Sequence, residues 1–120
     1  MKEQFSVTVE EYITYSVCTV YGSVSSTSFK EFQDTLREAL QKKNESPKYF
    51  VVDYSPVTMF TSTCINVIIS LNDAFEEGNR ELVIISPRPD ISDLLEVTGF
   101  DKIYPVYSSL HAFLEDKMLS

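Results

Sequence analysis

The sequence has little of the material from which most catalytic and metal sites are built. It contains one histidine, His111, three glycines and two cysteines, Cys18 and Cys64, which are not spaced as a Cys-x-x-Cys pair. Without a glycine-rich segment there is no phosphate-binding loop and no dinucleotide fingerprint. The acidic residues are spaced as on exposed helix faces and do not form a metal-ligand set. We therefore expect no enzyme activity, no metal site and no cofactor.

Long apolar runs are also missing. The longest covers residues 64–71, is interrupted by Asn66 and Ser70, and has about a third of the length needed to cross a bilayer. The N-terminal residues lack the apolar core of a signal peptide. Two cysteines without metal-type spacing are typical of buried thiols in a reducing compartment. These features predict a cytoplasmic protein that does not insert into membranes.

Basic residues are few compared with acidic ones. Ten Lys and Arg stand against eighteen Asp and Glu, so the net charge is −8. A chain this acidic repels phosphate backbones, and we expect no nucleic-acid partner. The imbalance lies in residues 49–120, which hold four basic and eleven acidic residues, against six and seven in residues 1–48. A basic protein surface would be steered towards this second half.

The composition, with 43% hydrophobic and 23% charged residues, predicts one globular domain over residues 1–120. Alternating apolar residues in 5–9 and 13–21 predict an antiparallel hairpin that turns at Glu10 and Glu11. Continuous apolar runs at 49–52 and 82–85 predict buried strands, and residues 103–107 a short one. The predicted order is β-β-α-β-α-β-α-β-α, which is typical of an α/β domain with a mostly parallel sheet.

Four segments have helical spacing of apolar residues. The first contains Phe29, Phe32, Leu36, Ala39 and Leu40 and ends near Lys42 and Lys43. The second ends near Gly78, and we expect its stripe to pack against the strands at 49–52 and 82–85; the stripe consists of Ile65, Ile68, Ile69 and Phe75. The third begins at Asp90 and ends at Gly99, and the last is capped by Ser108 or Ser109.

Three hydroxyl residues, Thr61, Ser62 and Thr63, stand between a buried strand and the second helix. One of them can cap the helix by accepting a hydrogen bond from its first free N–H groups. Alternatively, one is a phosphorylation site, because the positive end of the helix dipole tolerates a phosphate there. Cys64 follows directly; it is either a packed small residue or, if the helix start lowers its pKa, a redox-sensitive thiol.

The order of these motifs resembles the STAS domain family, named after sulphate transporters and anti-sigma factor antagonists. Residues 49–58, YFVVDYSPVT, are similar to the family's buried strand and its L-S-x-V turn. The resemblance continues through the hydroxyl segment and residues 82–87. It ends in residues 94–107, LLEVTGFDKIYPVY, which resemble the family's LLxxTGLDxxFxVYxS pattern closely.

The resemblance implies a four- to five-stranded mixed sheet with an N-terminal antiparallel hairpin, packed with about four helices. It also implies a regulatory module that binds a partner protein, a serine/threonine kinase of the anti-sigma factor type, and is not itself a catalyst. The family's Asp-Ser-Ser/Thr-Gly junction falls on residues 61–64, so Thr63 takes the phosphorylated position, with Ser62 less favoured. The partner surface implied in this way consists of Thr61, Ser62, Thr63, Cys64 and Asn66.

Three residues depart from the family's junction. Thr61 replaces the Asp, Cys64 replaces a Gly, and Asn66 replaces a second common Gly. An alternative role follows from these departures: a constitutive STAS subunit of a stress-sensing complex or of a lipid-transporting ABC system, without regulation by phosphate.

Overall fold

The computed structural model of the protein describes residues 4–40, 48–59, 61–77, 80–86, 89–99 and 102–119. The chain begins with two strands and a helix: β1 (Ser6–Glu11), β2 (Tyr15–Ser23) and α1 (Phe29–Leu40). The central part contains β3 (Tyr49–Asp53), β4 (Val57–Met59), α2 (Ser62–Ser70) and α3 (Asn72–Glu77). It ends with β5 (Glu81–Ile85), α4 (Pro89–Thr98), β6 (Val106–Tyr107) and α5 (Leu110–Asp116).

The described strands form one mixed sheet in the order β1-β2-β3-β5-β6, with β4 attached to β2. The first pair, β1 and β2, is antiparallel, and every other pair is parallel. The α/β fold with an N-terminal antiparallel hairpin is therefore confirmed. Two elements were not predicted, the three-residue strand β4 and the short helix α3, so the described residues form a six-stranded sheet and five helices.

Each face of the sheet carries its own hydrophobic core. One face packs against the inner sides of α1 and α2, and Phe32, Leu36, Phe50, Val52 and Ile68 are fully buried there. On the other face, Phe113 of α5 covers Tyr15, Val17, Val51, Val83 and Ile85. Because β3 and β5 are covered on both faces, their sequences are continuous apolar runs and do not alternate.

Two glycines have positive φ angles, at which a residue with a side chain would be strained. Gly22 has φ +79, and a Cβ there would lie 2.2 Å from the carbonyl oxygen of Gln4. Its close contact with the N-terminal segment coincides with the register shift where β4 joins β2. Gly99 has φ +77 and directly follows α4, which confirms the predicted glycine stop of that helix.

Several predicted boundaries are wrong. The hairpin does not turn at Glu10 and Glu11, because β1 includes both and the turn is closed by a hydrogen bond from the Tyr12 N–H to the Tyr15 carbonyl. Ile13 therefore lies in the turn and is 94% exposed. The last strand is only Val106–Tyr107, since the chain is still turning after Gly99, where the N–H of Lys102 bonds to the Gly99 carbonyl.

The predicted second helix is two helices that meet at Leu71. Its predicted inner stripe is correct at Ile65 and Ile68 and wrong at Ile69, which is 53% exposed. A helix advances about 100° per residue, and the buried face of α2 runs through Cys64, Val67, Ile68 and Leu71. Position 69 lies well outside that arc. The side chain of Phe75 and the residues Lys42, Lys43 and Gly78 lie outside the described parts of the chain.

Candidate functional site

The junction between β4 and α2 is organised by Thr61. This residue is the N-cap of α2, and its hydroxyl oxygen accepts a hydrogen bond of 3.2 Å from the Thr63 N–H. The same hydroxyl donates a 2.9 Å hydrogen bond to the carbonyl oxygen of Val24, which follows β2. Of the three predicted hydroxyls, Thr61 is therefore the cap, and it also ties the start of α2 to the end of β2.

Tyr54 supports the junction from below. Its ring is 99% buried, and its hydroxyl donates a 3.0 Å hydrogen bond to the Cys64 carbonyl in the first turn of α2. Its backbone N–H bonds to the Ile85 carbonyl, which holds the chain at the carboxyl end of β5. Burial raises the pKa of the Tyr54 hydroxyl well above its ordinary value, so the group stays protonated and keeps donating.

The other hydroxyls of the junction are available to a partner. Ser62 is exposed and Thr63 is half-buried. Neither hydroxyl has a hydrogen-bond partner in the part of the chain that the structure describes. Both belong to the first turn of α2, where the helix dipole favours negative charge, and that turn holds no acidic residue.

Cys64 takes no part in the exposed surface. Its side chain is fully buried, as is that of Cys18, and both are free thiols. Burial raises the pKa of the Cys64 thiol to about 11 and that of Cys18 to about 12. The buried-thiol prediction is confirmed, whereas the alternative of a lowered pKa at Cys64 is wrong, because desolvation outweighs the hydrogen bonds at the helix start. The side chain of Cys64 is therefore not part of the exposed junction.

The outward face of α2 contains two residues that were predicted to lie there, Ser62 and Asn66, and one that was predicted to be buried, Ile69. Ser62 and Asn66 are exposed and lie four positions apart, so they share this face. Ile69 continues the same row three positions later. It was assigned to the core because a short apolar run does not show which side of a helix faces the sheet. The spacing 62, 66, 69 is the signal that could have separated it from Ile65 and Ile68.

The same face is uncharged, because α2 contains no charged residue. The acidic residues belong to α3, which begins at Asn72 and includes Asp73 and Glu77. We refer to Ser62, Thr63, Asn66 and Ile69 as the α2 surface.

Other kinds of site have little support in the described residues. No three His, Cys, Asp or Glu side chains there are grouped so as to hold a metal ion. His111 is an exposed residue of α5, 3.3 Å from the Glu115 carboxylate one turn later. Among the described helices, none is both long enough and apolar enough to span a membrane.

Comparisons with known proteins give a consistent family assignment. The sequence model of the STAS domain matches residues 6–113. No curated protein sequence matches the chain. Solved structures do: an anti-sigma factor antagonist from Mycobacterium paratuberculosis has a TM-score of 0.81 at 19% identity, covering 94% of this chain and 93% of that one.

Two structures of another anti-sigma factor antagonist, SpoIIAA, are also similar. The unphosphorylated form has a TM-score of 0.74 at 9% identity, covering 96% of this chain and 99% of its own. The phosphorylated form, from Bacillus, has a TM-score of 0.65 at 9% identity, with coverages of 90% and 96%. At these identities the structural likeness shows the fold.

Proposed function

Because the chain belongs to the STAS domain family, we propose that it is a cytoplasmic, non-enzymatic module that acts as an anti-sigma factor antagonist. Its partner in this proposal is an anti-sigma factor that is also a serine/threonine kinase, and the domain contributes a binding surface and a substrate hydroxyl. The partner contributes the nucleotide. Phosphorylation at Thr63 then releases the partner.

The observation that supports this proposal best is the α2 surface itself. It presents two hydroxyls at a helix N-terminus, neither with a hydrogen-bond partner in the described part of the chain, followed by an amide and an isoleucine that is 53% exposed. A partner that covered Ile69 would gain free energy by removing its apolar area from water. Thr61 holds this surface in place through Val24 and is the adjoining member of the contact.

Thr63 is the best candidate for modification among the three hydroxyls. The Thr61 hydroxyl already makes two hydrogen bonds, and a phosphate there would remove the donor that bonds to the Val24 carbonyl. The hydroxyls of Ser62 and Thr63 have no hydrogen-bond partner among the described residues, and the likeness to the family's junction favours Thr63. A phosphate carries a charge of about −1.5 to −2 at pH 7.

The position of that charge explains how it could release a partner without unfolding the domain. The dipole of α2 offsets part of the negative charge within the chain. A partner fitted to an uncharged surface would instead have to bury it, which is costly.

The decisive experiment uses the kinase that co-purifies with the tagged chain from its host. After incubation with ATP, fragment mass spectrometry should find one phosphate, on Thr63, and none in Thr63→Ala. Thr63→Asp should bind the kinase at least about tenfold more weakly than the parent. Ser108→Asp is the matched control, since Ser108 is exposed and lies outside the α2 surface. Equal binding by Thr63→Asp and the parent would refute the proposed contact.

A second candidate function is a constitutive subunit of a larger assembly, with no regulation by phosphate. The observation that favours it is that Thr61, where the family has an Asp, is used for a structural link to Val24. In that case the co-purifying proteins are not kinases, Thr63→Asp leaves assembly unchanged, and Ile69→Asp still disrupts it. The two candidates therefore differ in the response to charge at Thr63.

A further inference from the structure

The outer edge of β1 is an open strand edge. In the described part of the chain, β1 pairs with β2 on one side and with nothing on the other. Alternate residues of an edge strand direct their N–H and C=O groups outward, where another strand can pair with them. β1 is six residues long and its register with β2 is unbroken by a bulge. Its sequence, SVTVEE, contains neither proline nor lysine, which commonly block such edges, and its two charged residues both lie at one end of the strand.

A groove runs beside this edge, between β1 and α1. Its volume is about 260 Å³, several times the roughly 30 Å³ of one water molecule. Val9 lines it from β1, and Thr35, Glu38 and Ala39 line it from α1. Val9 is only partly buried, and it packs at the margin of the core beneath α1. An added strand could therefore form hydrogen bonds with the outward N–H and C=O groups of β1 and place aliphatic side chains in the groove.

The described charged residues beside the groove are mainly acidic. On β1, Glu10 and Glu11 lie at the hairpin end and are exposed; Glu11 is on the groove side of the strand and interacts electrostatically with Arg80, and Glu10 is on the opposite side. On α1, Glu31 and Glu38 are exposed and seven positions apart, two turns along one flank. That flank is the one that lines the groove, because Glu38 is part of the lining. No basic residue is among the groove's described lining residues.

We propose that the β1 edge and this groove together form a second docking site, which binds an extended segment of a partner protein as an additional strand. The segment has aliphatic residues at alternate positions, opposite Val7 and Val9, and basic residues opposite Glu10 and Glu11. Strand addition of this kind gains affinity from main-chain hydrogen bonds and specificity from alternate side chains. Opposite charges directly across a strand pair increase the affinity further.

A second copy of the chain is a poorer occupant of the same edge. Two β1 strands would bring two such acidic flanks together, and each chain carries a net charge of −8. Like-charge contacts of this kind oppose association. A basic, extended segment is instead attracted to this edge.

The site is separate from the α2 surface and does not depend on it. β1 is the outermost strand of the sheet, whereas the α2 surface belongs to a helix that packs next to α1 on its other flank, where Gln33 donates a hydrogen bond to Ser70. The two proposals therefore involve different residues and can fail independently.

A capped synthetic peptide, Lys-Lys-Val-Thr-Val-Thr, tests the site directly. Paired antiparallel to β1, it places its lysines opposite Glu11 and Glu10 and its valines opposite Val9 and Val7. Titration followed by amide chemical shifts should perturb residues 6–11 and the groove side of α1. Glu10→Lys with Glu38→Lys should weaken binding about tenfold or more, since attraction becomes repulsion. Asp93→Lys with Glu96→Lys, the same charge change on exposed positions of α4, should alter it less than about twofold.

The other outcomes are equally informative. A scrambled peptide of the same composition should bind at least about tenfold more weakly, because it keeps the charge of the peptide but loses the alternation of its valines with polar residues. Equal binding of the scrambled peptide, or shifts centred on residues 62–69, would overturn the proposal. So would a concentration-dependent dimer of the free chain that protects β1 amides from exchange, since the occupant would then be a second copy.

Discussion

The hydroxyl of Tyr54, just after β3, donates a hydrogen bond to the carbonyl oxygen of Cys64 across 3.0 Å of buried space. This contact connects the central strand to the first turn of α2, so the position of the α2 surface depends on a residue beneath it. Tyr54 also packs edge-on against Phe32 of α1, with ring centroids 6.3 Å apart. One aromatic residue thus sets the spacing of the central strand and the two helices above it.

Replacing Tyr54 by Phe tests that contact. The ring stays and the hydroxyl is lost, so we expect the free energy of unfolding to fall by about 1 to 2 kcal/mol in urea titrations. Tyr12→Phe is the matched control, because Tyr12 is 46% exposed and should lose almost nothing. An equal loss in both variants would show that the buried hydrogen bond does not stabilise the junction.

The two neighbouring isoleucines of α2 should behave differently. Ile68 is fully buried, and Ile68→Ala should cost about 2 to 5 kcal/mol through lost packing and the cavity it leaves. Ile69 is half exposed, and Ile69→Ala should cost less than about 1 kcal/mol. Ile69→Ala should weaken partner capture all the same. Similar stability losses at both positions would mean that the face of α2 is assigned wrongly.

The Thr61 hydroxyl both accepts and donates a hydrogen bond, and three substitutions separate the contributions of these two bonds. Thr61→Ser keeps both hydrogen bonds and should be nearly neutral. Thr61→Ala loses the cap and leaves the Val24 carbonyl unpaired, which should cost about 1 to 2 kcal/mol. Thr61→Asp keeps the cap and loses the donor, so its stability should lie between the two. Thermal unfolding of the three variants measures the order, and a destabilised Thr61→Ser would contradict it.

The buried thiols predict how stability depends on pH. Folding raises the pKa of Cys64 to about 11 and of Cys18 to about 12, from an ordinary value of 9.0. A group whose pKa is raised by folding stabilises the native state fully below its unfolded pKa and loses that effect as the pH rises through the folded value. The stabilisation from the two protonated thiols should therefore be complete below about pH 9 and should be lost between pH 9 and 12.

Urea titrations at pH 8 and pH 11 measure this loss, and Cys18→Ala should make it smaller. At pH 8 both thiols should resist a thiol reagent until the chain unfolds, since burial limits access and keeps them protonated. Rapid labelling of Cys64 in the native protein would contradict its position in the core.

Much of the local structure follows from patterns that are short in sequence. The apolar runs at 49–52 and 82–85 become β3 and β5 because a strand covered on both faces needs apolar residues on both sides. The stop of α4 at Gly99 and the cap of α5 at Ser109 are likewise local, since each depends on one residue's conformational freedom or hydroxyl group. The resemblance of residues 94–107 was sufficient for the family, which the match over residues 6–113 confirms.

The α2 surface could be predicted only in part. Helical spacing is the same for a residue on either side of a helix, so Ile69 and Ile68 cannot be told apart until the sheet lies beneath one of them. The short strand β4 forms because β2 continues far enough to pair with it at Gly22 and Ser23, a contact between residues more than 30 positions apart. The second bond of Thr61, to Val24, has the same origin.

The sequence by itself determined the order of the strands and helices apart from β4 and α3, the family, the hydroxyl junction and the acidic charge, because these depend on residue type and on neighbours along the chain. Only the tertiary structure decided which hydroxyl caps α2 and bonds to Val24. It also decided that Cys64 faces the core while Ile69 faces outward, and that the described part of the chain leaves the outer edge of β1 open beside a groove. Those properties depend on which elements pack together across the sheet. Burial, hydrogen-bond partners and accessible edges exist only once distant segments are in contact.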